Sequence, residues 1–563
     1  MSLQPRPTMN IPEETRRVAQ AAFPKGNLYM RMRDEFGALY TDQQFAALFP
    51  ERGQPAEVPG RLALVTVMQF AEGLSDRQAA EAVRARIDWK YALGLELTDP
   101  GFDHSILSEF RERLLDGRLE QDLLDVLLAG LKKRGLLKAK GSQRTDSTHV
   151  LAAIRTLNRL ELVGEAMRRA LNELTVTAPD WVRSVAKSEW FVRYAQRFDS
   201  LRLPKEKAER EALIETIGRD GHYLLSVLYE SPAGPPLRQL EGVEILRRIW
   251  VQQYWVDNQA DGTHQIRLRA EDNQPPGDKR IQSPYDLEAR YSTKRDLEWV
   301  GYKAYLTETC NDDTVHLITH VEVTAATVQD VSVTDTIHTA LAEKDLLPSE
   351  HLMDAGFIDA DVLVAAKRDL AIEVCGPVKK DPQWQALAGQ GFGLSNFVID
   401  WEARTVTCPK GQRTTSWSGK LKAYRPPTIQ VEFKASVCQA CSSREQCTRA
   451  KRGGRRLGFQ PQAQHEALQQ ARQTQSTPAF WKKYAKRSGI EGTISQAVRV
   501  CEVRRSRYIG LAKTRLQMLA TAAAINLHRV YDWLTEVPRS LTRTTLFASL
   551  APKLSLVLSG WHA

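Results

Sequence analysis

The stretch GSQRTDSTHV, residues 141–150, decides how the chain is read. A basic approach (Lys138, Lys140, Arg144) leads to Asp146, small hydroxyl residues follow, and the chain is then expected to turn helical. Asp146 is thus expected to close a short extended segment, and Asp354, in MDAGF, to close another. The end of a strand is where an α/β sheet presents side chains to a crevice, because the backbone is paired up to that point and the following loop opens. Two acids can meet there.

The surrounding periodicity predicts the sheet. Trp299–Leu306 and Val315–Val323 alternate and are rich in β-branched and aromatic residues, with Asp312 and Asp313 marking the turn between them. Val331–Lys344 reads as a helix, His351–Asp354 as a short strand, Ile358–Arg368 as a helix and Ala371–Cys375 as a strand. A hairpin followed by alternating helix and strand implies a mixed α/β sheet.

A third acid lies in YAKRSGIEGTISQAV, where the spacing of Tyr484, Arg487 and Glu491 predicts one helical face. Ile490, Ile494, Ala497 and Cys501 form the apolar face beside it. Glu491 is then expected to face the crevice. An aspartate at a strand end is commonly a helix cap, so it is the three acids together that point to a shared site. Three converging carboxylates repel one another unless cations intervene. Hard oxygen ligands favour Mg²⁺ or Mn²⁺, and two such ions can activate an attacking oxygen and stabilise the leaving one in phosphodiester cleavage.

Composition sets the frame. The chain has 563 residues, 78 Lys and Arg against 68 Asp and Glu, a net charge of +10 and a pI near 9.1, which favours polyanionic partners. No apolar run is long enough to span a bilayer and the N-terminus lacks a signal h-region, so a soluble, cytoplasmic protein with no membrane partner is expected. Residues 1–137 read as helices with a capping box at Ser75–Gln78, and suit either a DNA-binding unit of helix-turn-helix type or a plain helical packing domain. Residues 151–280 read as a charged helical insertion, 378–480 as an irregular insertion, and 534–563 as a tail. In the helical region before that tail, Leu516, Leu519, Ala523, Leu527 and Val530 make one buried stripe. The region from 482 to 515 is strongly basic and is expected to track phosphates.

Seven cysteines are unevenly spread, which fits a reducing compartment. Cys408, Cys438, Cys441 and Cys447 cluster, and Cys438 and Cys441 form a CxxC pair, so tetrahedral thiolate coordination of a structural Zn²⁺ is expected.

Four passages, QRTDSTHVLAAIRTLNR, SPYDLEARYSTKRDLEWVGYKAYLTETC, HLMDAGF and RSGIEGTISQ with the later RYIGLAKTRLQ, resemble DDE transposases of bacterial insertion sequences. The likeness is to the group named after insertion sequence 1182, within the insertion-sequence-four-like superfamily, and it covers residues from about 30 to 535. It implies an RNase H-like catalytic core over 138–533, interrupted by the two insertions, with two Mg²⁺ or Mn²⁺ ions held by Asp146, Asp354 and Glu491. It also implies cutting at the element's ends and joining of the freed 3′-OH to target DNA. The superfamily's Tyr-Arg-Glu-Lys signature is matched by Tyr484, Arg487 and Glu491, but Val498 stands at the lysine position, with Arg499 beside it. Tyr484, Arg487, Arg499, Arg290, Lys294 and Lys303 are expected to contact double-stranded DNA. Synapsis of two ends calls for a homodimer. Two rivals share these residues: a nuclease of the same fold that cuts without joining, and a transposase-derived protein that binds DNA without cutting.

Overall fold

The computed structural model describes all residues except 1, 4, 6–9, 200–202, 231, 233, 259–263, 415, 423–424 and 539–563. Most of the expected tail therefore lies outside the described residues.

Six strands form the central sheet: β1 (Ser142–Leu151), β2 (Arg290–Lys294), β3 (Leu297–Thr309), β4 (Ile318–Ala325), β5 (Glu350–Met353) and β6 (Glu373–Cys375). Their order is β2-β3-β1-β5-β6, with β4 also paired to β3. The long β3 runs antiparallel to β1, β2 and β4, while β5 is parallel to β1 and β6 is parallel to β5. The N-terminal part of β3 carries β2, and from Tyr302 onward the same edge carries β4. At the changeover Gly301 has φ +154°, and a Cβ there would lie 2.1 Å from the carbonyl oxygen of Val150. Only glycine permits that approach of β3 to β1.

The expected mixed sheet is present, with one correction. Asp146 does not close its strand. Thr148–Leu151 continue the ladder against Gly301–Ala304, and the next helix begins only at Arg159. The partner strand is long enough to keep satisfying the backbone after Asp146, which extends the strand past the acid.

Thr334–Glu343 and Ala360–Leu370 are the helices that link β4 to β5 and β5 to β6. The helix Leu511–Leu534 packs against β4 on one side and against the N-terminal helices Pro59–Glu72 and Asp122–Lys133 on the other. Its predicted stripe is buried, and so is every residue from Leu516 to Leu527, because the helix is enclosed rather than lying on a surface. Asn526 within it both accepts from the N–H and donates to the carbonyl of Ile318, each at 2.8 Å. One apolar cluster therefore runs from Tyr29 through the sheet to Val530.

The segment after β1 has its own apolar core, built from Arg159–Thr177, Lys207–Glu230 and Glu241–Gln253. It closes with a hairpin, Tyr254–Asn258 against His264–Leu268, that the helical reading of 151–280 did not contain. The cysteine-bearing segment likewise departs from the irregular reading. Ser416–Lys422, Arg425–Glu432 and Arg456–Phe459 form a three-stranded sheet beside the Val398–Asp400/Thr405–Thr407 pair, around Phe397, Val406, Phe433 and Phe459. Strands of three to eight residues separated by loops show too few periods to stand out. Among the described residues no helix is long and apolar enough to cross a membrane.

Candidate active site

The register of β1 and β5 pairs Thr145 with Met353, so Asp146 and Asp354 are the next residues on two adjacent parallel strands. Such strands lie about 4.8 Å apart. Asp146 is half-buried, and its Oδ1 accepts the Ser147 N–H at 2.8 Å. Burial raises its pKa above the ordinary carboxylate value, with a further push from Asp354. Arg487, the Ser147 N–H and Lys294 oppose the rise without cancelling it. Asp354 is exposed and caps the turn Ala355–Phe357, accepting the Ala355 N–H at 2.7 Å.

Glu491 comes from another part of the chain. Tyr484 ends the helix Pro478–Tyr484, Arg487 lies in a 3-10 turn over Ala485–Ser488, and Glu491 is in the first turn of the helix Gly489–Cys501. The single helical face expected for these residues is thus broken into three short elements. The apolar side behaves as expected: Ile490, Ile494, Ala497 and Cys501 are buried. The break leaves Arg487 facing both acids. Its Nη2 lies 2.6 Å from Asp146 Oδ2 and its Nη1 lies 3.0 Å from Glu491 Oε1. The positive charge between these carboxylates is this guanidinium. Its Nε is buried with no hydrogen-bond partner among the described residues.

Tyr484 is half-buried and stacks on Phe480, with ring centroids 5.9 Å apart. Burial and the nearby acids push its hydroxyl up to about 12, so it remains protonated at neutral pH. Lys294 is exposed beside Asp146 and lowers that acid's pKa. The other expected phosphate ligands are engaged elsewhere. Arg290 donates to the carbonyls of Asp278, Leu287 and Ala289, and Lys303 pairs with Asp330 at 3.1 Å. Arg499 is exposed and donates to its own helix at Ser495 O, while Val498 packs on the apolar core. Several cations of the basic 482–515 region also form ion pairs, most of them at the surface. Lys483 pairs with Glu350 and Glu373, Lys486 with Asp312, Lys513 with Glu112 and Arg515 with Glu120.

Two buried groups next to the acids escaped the sequence reading. Thr145, the neighbour of Asp146, bonds His351 Nε2 at 2.6 Å, and His351 Nδ1 contacts His338 Nε2 at 3.0 Å. Burial holds both imidazoles below their ordinary pKa, His338 at about 4. The second group is centred on Glu308, a fully buried carboxylate on β3. A charged residue on a strand otherwise lined with buried side chains was its only sequence signal.

Cys408, Cys438, Cys441 and Cys447 line one cavity. Gln412 N–H donates to Cys408 Sγ and Arg455 N–H to Cys438 Sγ, each at 3.4 Å. Among the described residues, neither these thiols nor the acids are gathered into a group of three set to hold a metal ion.

Residues 407–531 match a family model described as a transposase DDE domain, and residues 17–113 match one described as a transposase domain. The first match contains Glu491 and stops short of Asp146 and Asp354. No curated protein and no solved structure matches the chain. One transposase domain model thus matches the N-terminal helices and another matches the cysteine-bearing segment with the Glu491 helix, and together they indicate a DDE transposase of an insertion sequence.

Proposed function

We propose that this transposase, of the group named after insertion sequence 1182, cuts DNA at the ends of its element and joins the freed 3′-OH to target DNA. The observation that carries the proposal is the arrangement of acids: Asp146 and Asp354 each directly follow the paired residues Thr145 and Met353 of two adjacent parallel strands, with Glu491 tied to Asp146 through Arg487. The sheet order, three antiparallel strands continued by two parallel ones, supports an RNase H-like core.

Asp146, Asp354 and Glu491 would hold the Mg²⁺ or Mn²⁺ ions, which supply an activated oxygen nucleophile and neutralise the leaving oxygen. The raised pKa of Asp146 fits a site that lacks its full positive charge until cations and DNA arrive. Arg487 then moves from the carboxylates to a DNA phosphate, where its planar fork of donors suits two phosphate oxygens. Tyr484 lines the same crevice as a neutral hydroxyl, and Lys294 contributes charge from the β2 edge. Water and then the DNA 3′-OH are the nucleophiles, so no covalent protein–DNA intermediate forms.

Double-stranded DNA is the partner, engaged by a homodimer in the bacterial cytoplasm. A structural Zn²⁺ in the cysteine-bearing segment belongs to the proposal. It rests on the CxxC spacing of Cys438 and Cys441 and on the four thiols that line one cavity, which are not gathered into a metal-holding group among the described residues.

The test is incubation of purified protein and Mg²⁺ with a labelled duplex carrying the sequence that flanks the gene, together with a supercoiled plasmid. Labelled end joined to plasmid is the expected product. Nicks without joined product would make the protein a nuclease, and end binding without nicks would make it a binding protein.

A further inference from the structure

The two halves of the candidate site come from distant parts of the chain, and one buried carboxylate touches the supports of both. Glu308 is fully buried on β3 opposite Arg144 of β1. Its Oε1 accepts from Arg144 Nε at 2.7 Å and lies 2.6 Å from Nη2 of the same guanidinium. Its Oε2 accepts from Arg529 Nη1 at 2.7 Å and from the Thr493 hydroxyl at 2.6 Å. Arg144 lies two residues before Asp146 on the same strand, and Thr493 two residues after Glu491 on the same helix. Arg144 Nη1 also donates to the carbonyl of Lys486 at 2.5 Å, immediately before Arg487. Arg529 Nη2 closes the cluster on the Thr493 hydroxyl at 2.6 Å.

Such a cluster is weak evidence for stability, because taking charges out of water offsets most of their attraction, and apolar replacements are often as stable. What it does supply is fixed geometry. The Arg144–Glu308 pair sets β1 against β3, and its remaining bonds fasten the Lys486–Thr493 segment to that pair. Gly489 records the closeness of the fit. It has helical backbone angles, yet a Cβ at this position would lie 2.0 Å from Arg144 Nη1. A free guanidinium would swing aside, but this one is held by Glu308 and the Lys486 carbonyl.

We propose that Glu308 is a positioning residue that, through Arg144 and Thr493, sets Arg487 and Glu491 against Asp146. The proposal rests on the transposase reading only for its effect on cutting. Its geometric content is independent of that reading: burial opposes the charge on Glu308, but Arg529 and Arg144 outweigh it and hold the carboxyl below its ordinary pKa.

The test uses Gly489→Ala and an all-apolar triple variant, Arg144→Met with Glu308→Leu and Arg529→Met, which avoids leaving a buried charge unpaired. Backbone amides of residues 486–495 should exchange with deuterium about tenfold faster than in wild type, while those of β1 and β3 keep their protection. Nicking of the end duplex should fall about a hundredfold, since a displacement near 1 Å costs that much. Wild-type exchange at 486–495 in both folded variants would overturn the proposal, as would wild-type nicking by both. If the wild-type protein nicks nothing, the transposition reading fails, and the exchange pattern alone decides the role of Glu308.

Discussion

Replacing Arg487 by methionine removes the cation between Asp146 and Glu491 and keeps most of the side chain's volume. The Arg487 side chain is 12% exposed and that of Asp146 is 16%, so this contact is close to a buried ion pair, whereas Glu491 at 64% is largely solvated. Breaking a fully buried pair costs about 3–5 kcal/mol because the surviving charge is left uncompensated. Allowing for residual solvent at Asp146, and nothing for Glu491, the loss is about 2–3 kcal/mol. At about 2–4 °C per kcal/mol, the melting temperature in chelator should fall by about 4–12 °C. Mg²⁺ that binds the same acids should restore part of the loss, so the variant should gain more from Mg²⁺ than wild type does. Calorimetry of both proteins, with chelator and with Mg²⁺, reads both effects. An unchanged melting temperature for Arg487→Met in chelator would refute the idea that this guanidinium stands in for a cation.

Other outcomes follow from the same geometry. Because the folded pKa of Asp146 is raised, its contribution to stability is fully present below the unfolded value of about 3.9 and is lost as pH climbs through the folded value. Asp146→Asn should abolish that slope in metal-free urea titrations, and a slope kept by the variant would assign it elsewhere. His338 has the opposite sign: its folded pKa is depressed to about 4, so its contribution is present above about 6.5 and lost as pH falls toward 4. The full effect is about 3 kcal/mol, and acid unfolding of His338→Asn should be correspondingly flatter. Gly301→Ala should destabilise the protein by more than about 2 kcal/mol, since the new methyl meets the Val150 carbonyl. Native wild-type protein should carry one Zn²⁺ per chain by elemental analysis, and Cys438→Ser with Cys441→Ser should carry none; metal-free wild type purified with Zn²⁺ present would remove zinc from the proposal.

How much of this was legible in the sequence depended on the range of each signal. The sheet showed because Trp299–Leu306 and Val315–Val323 alternate over enough residues to display a period of two, and the apolar face of the Glu491 helix showed for the same reason at its own period. Asp146 and Asp354 were identifiable as a pair, but the extension of β1 beyond Asp146 depended on the length of β3, which no local pattern carries. Charge was the least legible property. Arg144 looked like part of a basic approach and is buried against Glu308, while Lys303 and Arg290 looked like phosphate ligands and are held by protein groups. Whether a cation faces DNA or an internal partner is decided by contacts between residues far apart in the chain. Gly489 between Ser488 and Ile490 was a clue of the readable kind: a glycine inside a helix reports a close neighbour, though not which one.

The most direct test of the central claim is single-turnover nicking of the labelled end duplex by wild type and by Asp354→Ala, with Mg²⁺ and with chelator. Asp354 is exposed and its side chain bonds only the adjacent N–H among the described residues, so its loss should leave folding and DNA binding intact. The account predicts discrete nicks with 3′-OH ends for wild type in Mg²⁺, and none for the variant or in chelator. Equal nicking by both proteins, or nicking that persists in chelator, would contradict it.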